Sequence, residues 1–113
     1  ADGVDTVVVD FSTSKPKLIA SHYRPYEPAL RQQILELCRP GSNEIHRLGE
    51  LDIKLAHIFA ESVTAILKQS KLTPDAITAI GSHGQTVRHS PDPRQRYTLQ
   101  IGDPNTIAAH TGI

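Results

Sequence analysis

The chain contains no methionine, so it does not display its own start. It opens on Ala1-Asp2-Gly3-Val4-Asp5, a turn-like stretch, and is expected to be a piece of something longer. Cys38 is the only cysteine, which excludes an internal disulfide and fits a reducing, cytoplasmic compartment. Twelve basic residues balance twelve acidic ones, so the chain has no general pull on nucleic acid or an anionic membrane. No apolar run approaches the length of a membrane span. No charged start followed by an apolar run marks a leader. Neither a Walker-type phosphate loop nor a nucleophile elbow is present. The six histidines form no metal set: His83 and His89 lack short helical spacing and have no cysteine or acidic partner beside them.

What is there reads as one soluble domain. The 113 residues are 38% hydrophobic and 21% charged, the balance of a globular chain rather than a disordered one. A chain of this size buries roughly two thirds of its unfolded surface, enough for one core.

The pattern along the chain is mixed α/β. Val7, Val8 and Val9 are contiguous and β-branched, and predict a buried strand over Val4–Phe11. The polar turn before Pro16 leads to a second strand over Lys17–Tyr23, antiparallel because the connection is short. Pro28 opens a helix in which Leu30, Ile34, Leu37 and Cys38 recur on one face, placing Cys38 in the core. Pro40-Gly41 ends it. Ser42 or Asn43 can cap a long helix over Glu44–Gln69. Its apolar stripe runs from Ile45 through Leu48, Leu51, Leu55, Ile58 and Phe59 to Leu67, so it is expected to lie on a sheet. Ile77–Ser82 alternates as a short strand, and His83–Thr86 leaves its C-terminal end. Ser90–Arg96 is a loop, Tyr97–Ile101 a strand, and Asp103-Pro104 the start of a last helix.

Three segments can carry chemistry. Asp2-Gly3-Val4-Asp5 is either a solvated surface turn or a turn whose N–H groups hold phosphate oxygens, with a carboxylate for Mg2+. Gly81-Ser82-His83-Gly84-Gln85-Thr86 is either a polar loop or a ligand loop at a strand end, its donors and acceptors suited to sugar hydroxyls and an amide. Gln100-Ile101-Gly102-Asp103-Pro104-Asn105 is either an ordinary capped turn or a helix start facing a polar ligand. Arg88, His89, Arg94 and Arg96 form a basic cluster, a solvated loop or a contact for an acidic group.

Taken together, these segments carry a family resemblance. The run from Ala79 through Gly81-Ser82-His83-Gly84-Gln85-Thr86 to His89, then Thr98 to Pro104, then Thr111-Gly112-Ile113, resembles anhydro-N-acetylmuramic acid kinases. The opening Asp2-Gly3-Val4-Asp5 with Val9-Asp10-Phe11 resembles the end of that family's first phosphate motif. The resemblance implies an incomplete N-terminal domain, residues 1–113, of a two-domain actin-like ATPase fold. That domain would be a ribonuclease-H-like mixed sheet with flanking helices. ATP and Mg2+ would sit in the cleft, and the enzyme would open the 1,6-anhydro ring with water and phosphorylate O6 in peptidoglycan recycling. The full-length protein would be a cytoplasmic homodimer taking a small-molecule sugar and ATP.

Residue by residue, the resemblance gives Asp2, Gly3, Val4 and Asp5 to phosphate and Mg2+. It gives His83, Gly84, Gln85 and Thr86 to the sugar, Thr86 foremost. Gln100, Gly102, Asp103 and Asn105 become the cleft wall. The family's Ser-Gly-Thr-Ser stretch is absent before Asp2, and its general-base aspartate is expected beyond Ile113, so this chain alone is expected to be inactive. The family's first strand, which would lie between the opening strand and Ile77–Ser82, is also absent, and either a gap in the sheet or a strand supplied by another chain is expected. The alternatives are a member of the superfamily that holds nucleotide or sugar without turnover, or an interaction domain that uses only the fold.

Overall fold

The computed structural model describes residues 2–113. The valine-rich start forms β1 (Gly3–Asp10), and the chain returns as β2 (Lys17–Pro25). The two pair antiparallel as expected, with Gly3 opposite Pro25, Val8 opposite Ala20, and a bulge between Val8 and Val9. The strand begins one residue early, so Gly3, Val4 and Asp5 lie in the ladder and not in a turn. The physical reason is that β2 runs on to Pro25, which offers these residues a partner strand.

Helix α1 (Pro28–Leu37) buries Leu30, Ile34 and Leu37. Cys38 closes the helix and is exposed, contrary to the expectation of a core thiol: it lies one residue past the last helical position. Helix α2 (Glu44–Ser70) then runs for 27 residues. Neither Ser42 nor Asn43 caps it through a side chain. Asn43 adopts a left-handed φ of 54°, and the Arg47 Nε donates instead to the Ser42 carbonyl at 2.8 Å. Ile45, expected in the stripe, is 87% exposed, because the first turn borders an open depression rather than a packed element.

Helix α2 is the spine. It packs against β1, β2, α1 and the two last elements of the chain. Leu51 and Leu55 join Tyr26, Leu30, Ile34 and Leu37 in the core, together with Val87 and Ile101 from the C-terminal part. That part comprises β3 (Gln85–Ser90), β4 (Tyr97–Ile101) and α3 (Pro104–Thr111).

The described strands do not form one continuous mixed sheet. Among the described residues there are two separate two-stranded antiparallel sheets, β1-β2 and β3-β4. Ile77–Ser82 forms no strand, although it alternates like one. A strand needs a neighbour to take its N–H and C=O groups, and no described strand pairs with this segment. Regular pairing begins only at Gln85, so Gln85 and Thr86 open a strand instead of trailing from one. The radius of gyration, 15.8 Å, exceeds the about 13 Å of a compact chain this long, as two unjoined sheets on one long helix require.

Candidate functional site

The β3-β4 hairpin brings two of the expected segments together. Thr86 stands opposite Gln100. The Gln100 Nε2 donates to the Thr86 Oγ1 at 3.1 Å and to the Thr98 Oγ1 at 2.6 Å. The Thr86 oxygen is thus an acceptor, and its own hydroxyl hydrogen is free to donate outward. A bulge turns Val87 into the core at 2% exposure and leaves Thr86 on the outer face. His83 is exposed in the irregular segment just before. Gly84 has a φ of 68°, and a Cβ there would stand 2.8 Å from the Ile101 carbonyl oxygen. Only glycine allows the chain to enter β3 this close to β4.

Gln85 is half-buried and turned back onto the protein. Its Nε2 donates to the Thr86 carbonyl at 3.1 Å, and its Oε1 accepts from the Tyr26 hydroxyl at 3.4 Å. Tyr26 is buried, and burial pushes its phenol pKa up, so it remains a donor. Its backbone N–H donates to the Asp2 carbonyl at 2.9 Å. One residue therefore touches both the Asp2 end of β1 and the start of β3.

The turn after β4 is fixed from α2. Gly102 N–H donates to the Asp52 Oδ1 at 2.6 Å, and Asp103 N–H to the Asp52 carbonyl at 3.4 Å. Gly102 has a φ of 117°, and a Cβ there would run into the Phe59 ring. The Asp103 carboxylate caps α3 as the sequence implied, accepting from the N–H groups of Asn105 and Thr106. The Thr106 hydroxyl at 2.6 Å, and then these N–H groups, hold its pKa below the usual carboxylate range. Asp103 is occupied by its own helix, while Asn105 is exposed.

Among the described residues, Asp2 and Asp5 share no hydrogen-bond partner. Asp2 is exposed and meets the Arg31 Nε at 3.3 Å. Asp5 is exposed within β1 opposite Tyr23. No group of three or more metal-ligating side chains occurs among the described residues. Two surface depressions of 180 and 700 Å³ line up with Leu48 and Leu99, and with Arg39 and Arg47. Neither takes in a residue of 2–5 or 81–86. The basic cluster is also dispersed: Arg88 pairs with Glu44 and bonds the Leu37 carbonyl, and Arg94 pairs with Asp92.

Two residues of this region escaped the sequence reading. Tyr26 lies between strand and helix, outside any periodic pattern. Asp52 sits beside Leu51 on α2, and its only signal was a carboxylate on the border of an apolar stripe.

The family model for anhydro-N-acetylmuramic acid kinase matches residues 1–113. The chain is 52% identical over 112 residues to the anhydro-N-acetylmuramic acid kinase of Shewanella denitrificans, covering 99% of this chain. It is 51% identical to that of Shewanella pealeana and 48% identical to that of Pasteurella multocida, again over 99% of this chain. It spans about 30% of the length of these curated relatives. A match along its whole length, through both the Asp2 and the Gly81–Thr86 segments, places the chain in the anhydro-N-acetylmuramic acid kinase family.

Proposed function

We propose that the full-length protein containing this chain is an ATP-dependent kinase of 1,6-anhydro-N-acetylmuramic acid. Water adds across the anhydro bridge and opens it, the γ-phosphoryl passes from ATP to O6, and ADP leaves. The product is N-acetylmuramic acid 6-phosphate, formed during cytoplasmic peptidoglycan recycling. The observation that carries this reading is the family match over every residue of the chain. The names of the relatives agree with it.

In this reading Thr86, with Gln85, Gly84 and His83, binds the sugar. The outward hydroxyl of Thr86 beside Gln100 suits a carbohydrate hydroxyl. Gln100, Gly102, Asp103 and Asn105 form the adjoining wall, with Asp103 acting as the cap that shapes it. Asp2, Gly3, Val4 and Asp5 form the phosphate end. Mg2+ is usually held by one or two carboxylates, waters and phosphate oxygens rather than by a protein cage. The separate exposed carboxylates of Asp2 and Asp5 fit that mode, with Asp2 first leaving Arg31. Bound there, Mg2+ would neutralise charge on the phosphates.

The general base and the adenosine pocket belong to the part of the protein outside this chain. Phosphoryl transfer depends on positioning and charge stabilisation across a cleft, so residues 1–113 alone are inactive. We assign the chain to the first domain of an actin-like, ribonuclease-H-like fold. The full-length protein is a homodimer in this reading.

The test is direct. Full-length protein is incubated with the anhydro sugar, ATP and Mg2+, and the sugar product is weighed by mass spectrometry. A gain of one water and one phosphoryl group, absent with residues 1–113 alone, is expected. An unchanged sugar with intact protein overturns the proposal.

A further inference from the structure

The geometry points to Tyr26 as a positioning residue that sets the sugar-binding face from the phosphate end of the molecule. The inference rests on the reading that Gln85 and Thr86 bind the sugar. Tyr26 follows β2 directly, and its N–H continues the β1-β2 ladder by one bond to the Asp2 carbonyl at 2.9 Å. Its ring fills the core between α1, α2 and β3, in one cluster with Leu30, Leu55 and Val87. Its hydroxyl emerges at Gln85 Oε1, 3.4 Å away.

The two sheets share no strand. Tyr26 therefore supplies the one described hydrogen-bonded route in which a single residue holds Asp2 on one side and Gln85 on the other. The hydroxyl selects an orientation of the Gln85 amide. With the oxygen held by Tyr26, the nitrogen is directed to the Thr86 carbonyl. That fixes the backbone from which the Thr86 hydroxyl projects beside Gln100. Without the hydroxyl, the amide can rotate, and the Thr86 face loses its support. Burial keeps the phenol neutral, so its donor role persists throughout the physiological pH range.

Tyr26→Phe isolates the hydroxyl, because the ring and the backbone N–H remain. In the full-length protein we expect KM for the anhydro sugar to rise about threefold to tenfold, the size of one neutral hydrogen bond. The values of kcat and of KM for ATP should stay within about twofold. In a Gln85→Ala background, Tyr26→Phe should add nothing further. A purely structural role would lower the melting temperature without this KM-selective effect.

The inference is overturned if Gln85→Ala raises the sugar KM while Tyr26→Phe leaves it unchanged. In that case the sugar-binding reading stands. If Gln85→Ala and Thr86→Ala both leave the sugar KM unchanged, that reading fails, and the role of Tyr26 fails with it.

Discussion

The two ends of the chain are held on α2 in different ways. The β1-β2 hairpin has a long regular ladder and an uncovered face, with Val7, Phe11, Leu18 and Tyr23 at 52% exposure or more. Besides packing on α2 it has two exposed polar ties to that helix, the Arg24–Glu61 ion pair and a hydrogen bond donated by the Gln69 Nε2 to the Ser21 carbonyl at 3.1 Å. The β3-β4-α3 end has short strands and little ladder, and polar locks hold it: Asp52 on Gly102, Asp103 on α3, and Glu44 on Arg88. The first end owes its order mainly to its own ladder, with exposed ties to α2 at its surface. The second leans on single polar side chains, Asp52 and Glu44 reaching it from far along the chain, and it is the end that carries Thr86 and Gln100.

The largest effect should come from breaking what both ends share. Leu55 is fully buried in the central core. Leu55→Ala should destabilise the full-length protein by about 2–5 kcal/mol, the usual cost of such a cavity. Chemical denaturation measures it. If the loss is confined to one end, hydrogen exchange will show protection falling there alone, and the account of α2 as a common spine is wrong.

A smaller and one-sided effect is expected at the lock. Asp52→Ala removes the acceptor for Gly102 N–H and should cost about 1–3 kcal/mol. Asp52→Asn keeps an acceptor and should recover part of that. Exchange at Gly102 and Asp103 should quicken in the alanine variant, while β1 and β2 stay protected. Equal loosening of both hairpins would erase the distinction between the ends.

The comparison also explains what the sequence shows. β1, β2, α1 and α2 are legible because valine runs, proline starts and a helical stripe are local signals. The Asp103-Pro104 start of α3 is legible for the same reason. Ile77–Ser82 misleads, because alternation describes a willing strand and says nothing of whether a neighbour exists. β3 is hidden in Gln85-Thr86-Val87-Arg88-His89-Ser90, where only Val87 is buried. Tyr26 and Asp52 are illegible because their importance lies in partners 59 and 50 residues away. The segments expected to form the site are brought together only in part. Thr86 and Gln100 meet, whereas Asp2 and Asp5 share no described hydrogen-bond partner.

The smallest effect is a pH dependence confined to the second end. Hydrogen bonds from the Thr106 hydroxyl and the first N–H groups of α3 hold the Asp103 pKa down. A depressed carboxylate contributes stability that is fully present above its ordinary pKa. That contribution is lost as pH falls through the lower, folded value. Acid should therefore loosen α3 in the wild type. Asp103→Asn, which caps without ionising, should abolish that part of the acid sensitivity. Amide exchange at Thr106 and Ile107 between neutral and acid pH reads it. An identical acid response in both proteins would remove Asp103 as its source.

The central claim is that Thr86, set beside Gln100 on the outer face of β3-β4, grips the anhydro sugar. Calorimetric titration of 1,6-anhydro-N-acetylmuramic acid into full-length wild-type protein and Thr86→Val tests it most directly. The account predicts saturable binding to the wild type and clearly weaker binding to the variant, with the fold intact. Equal affinity for the two proteins would contradict it.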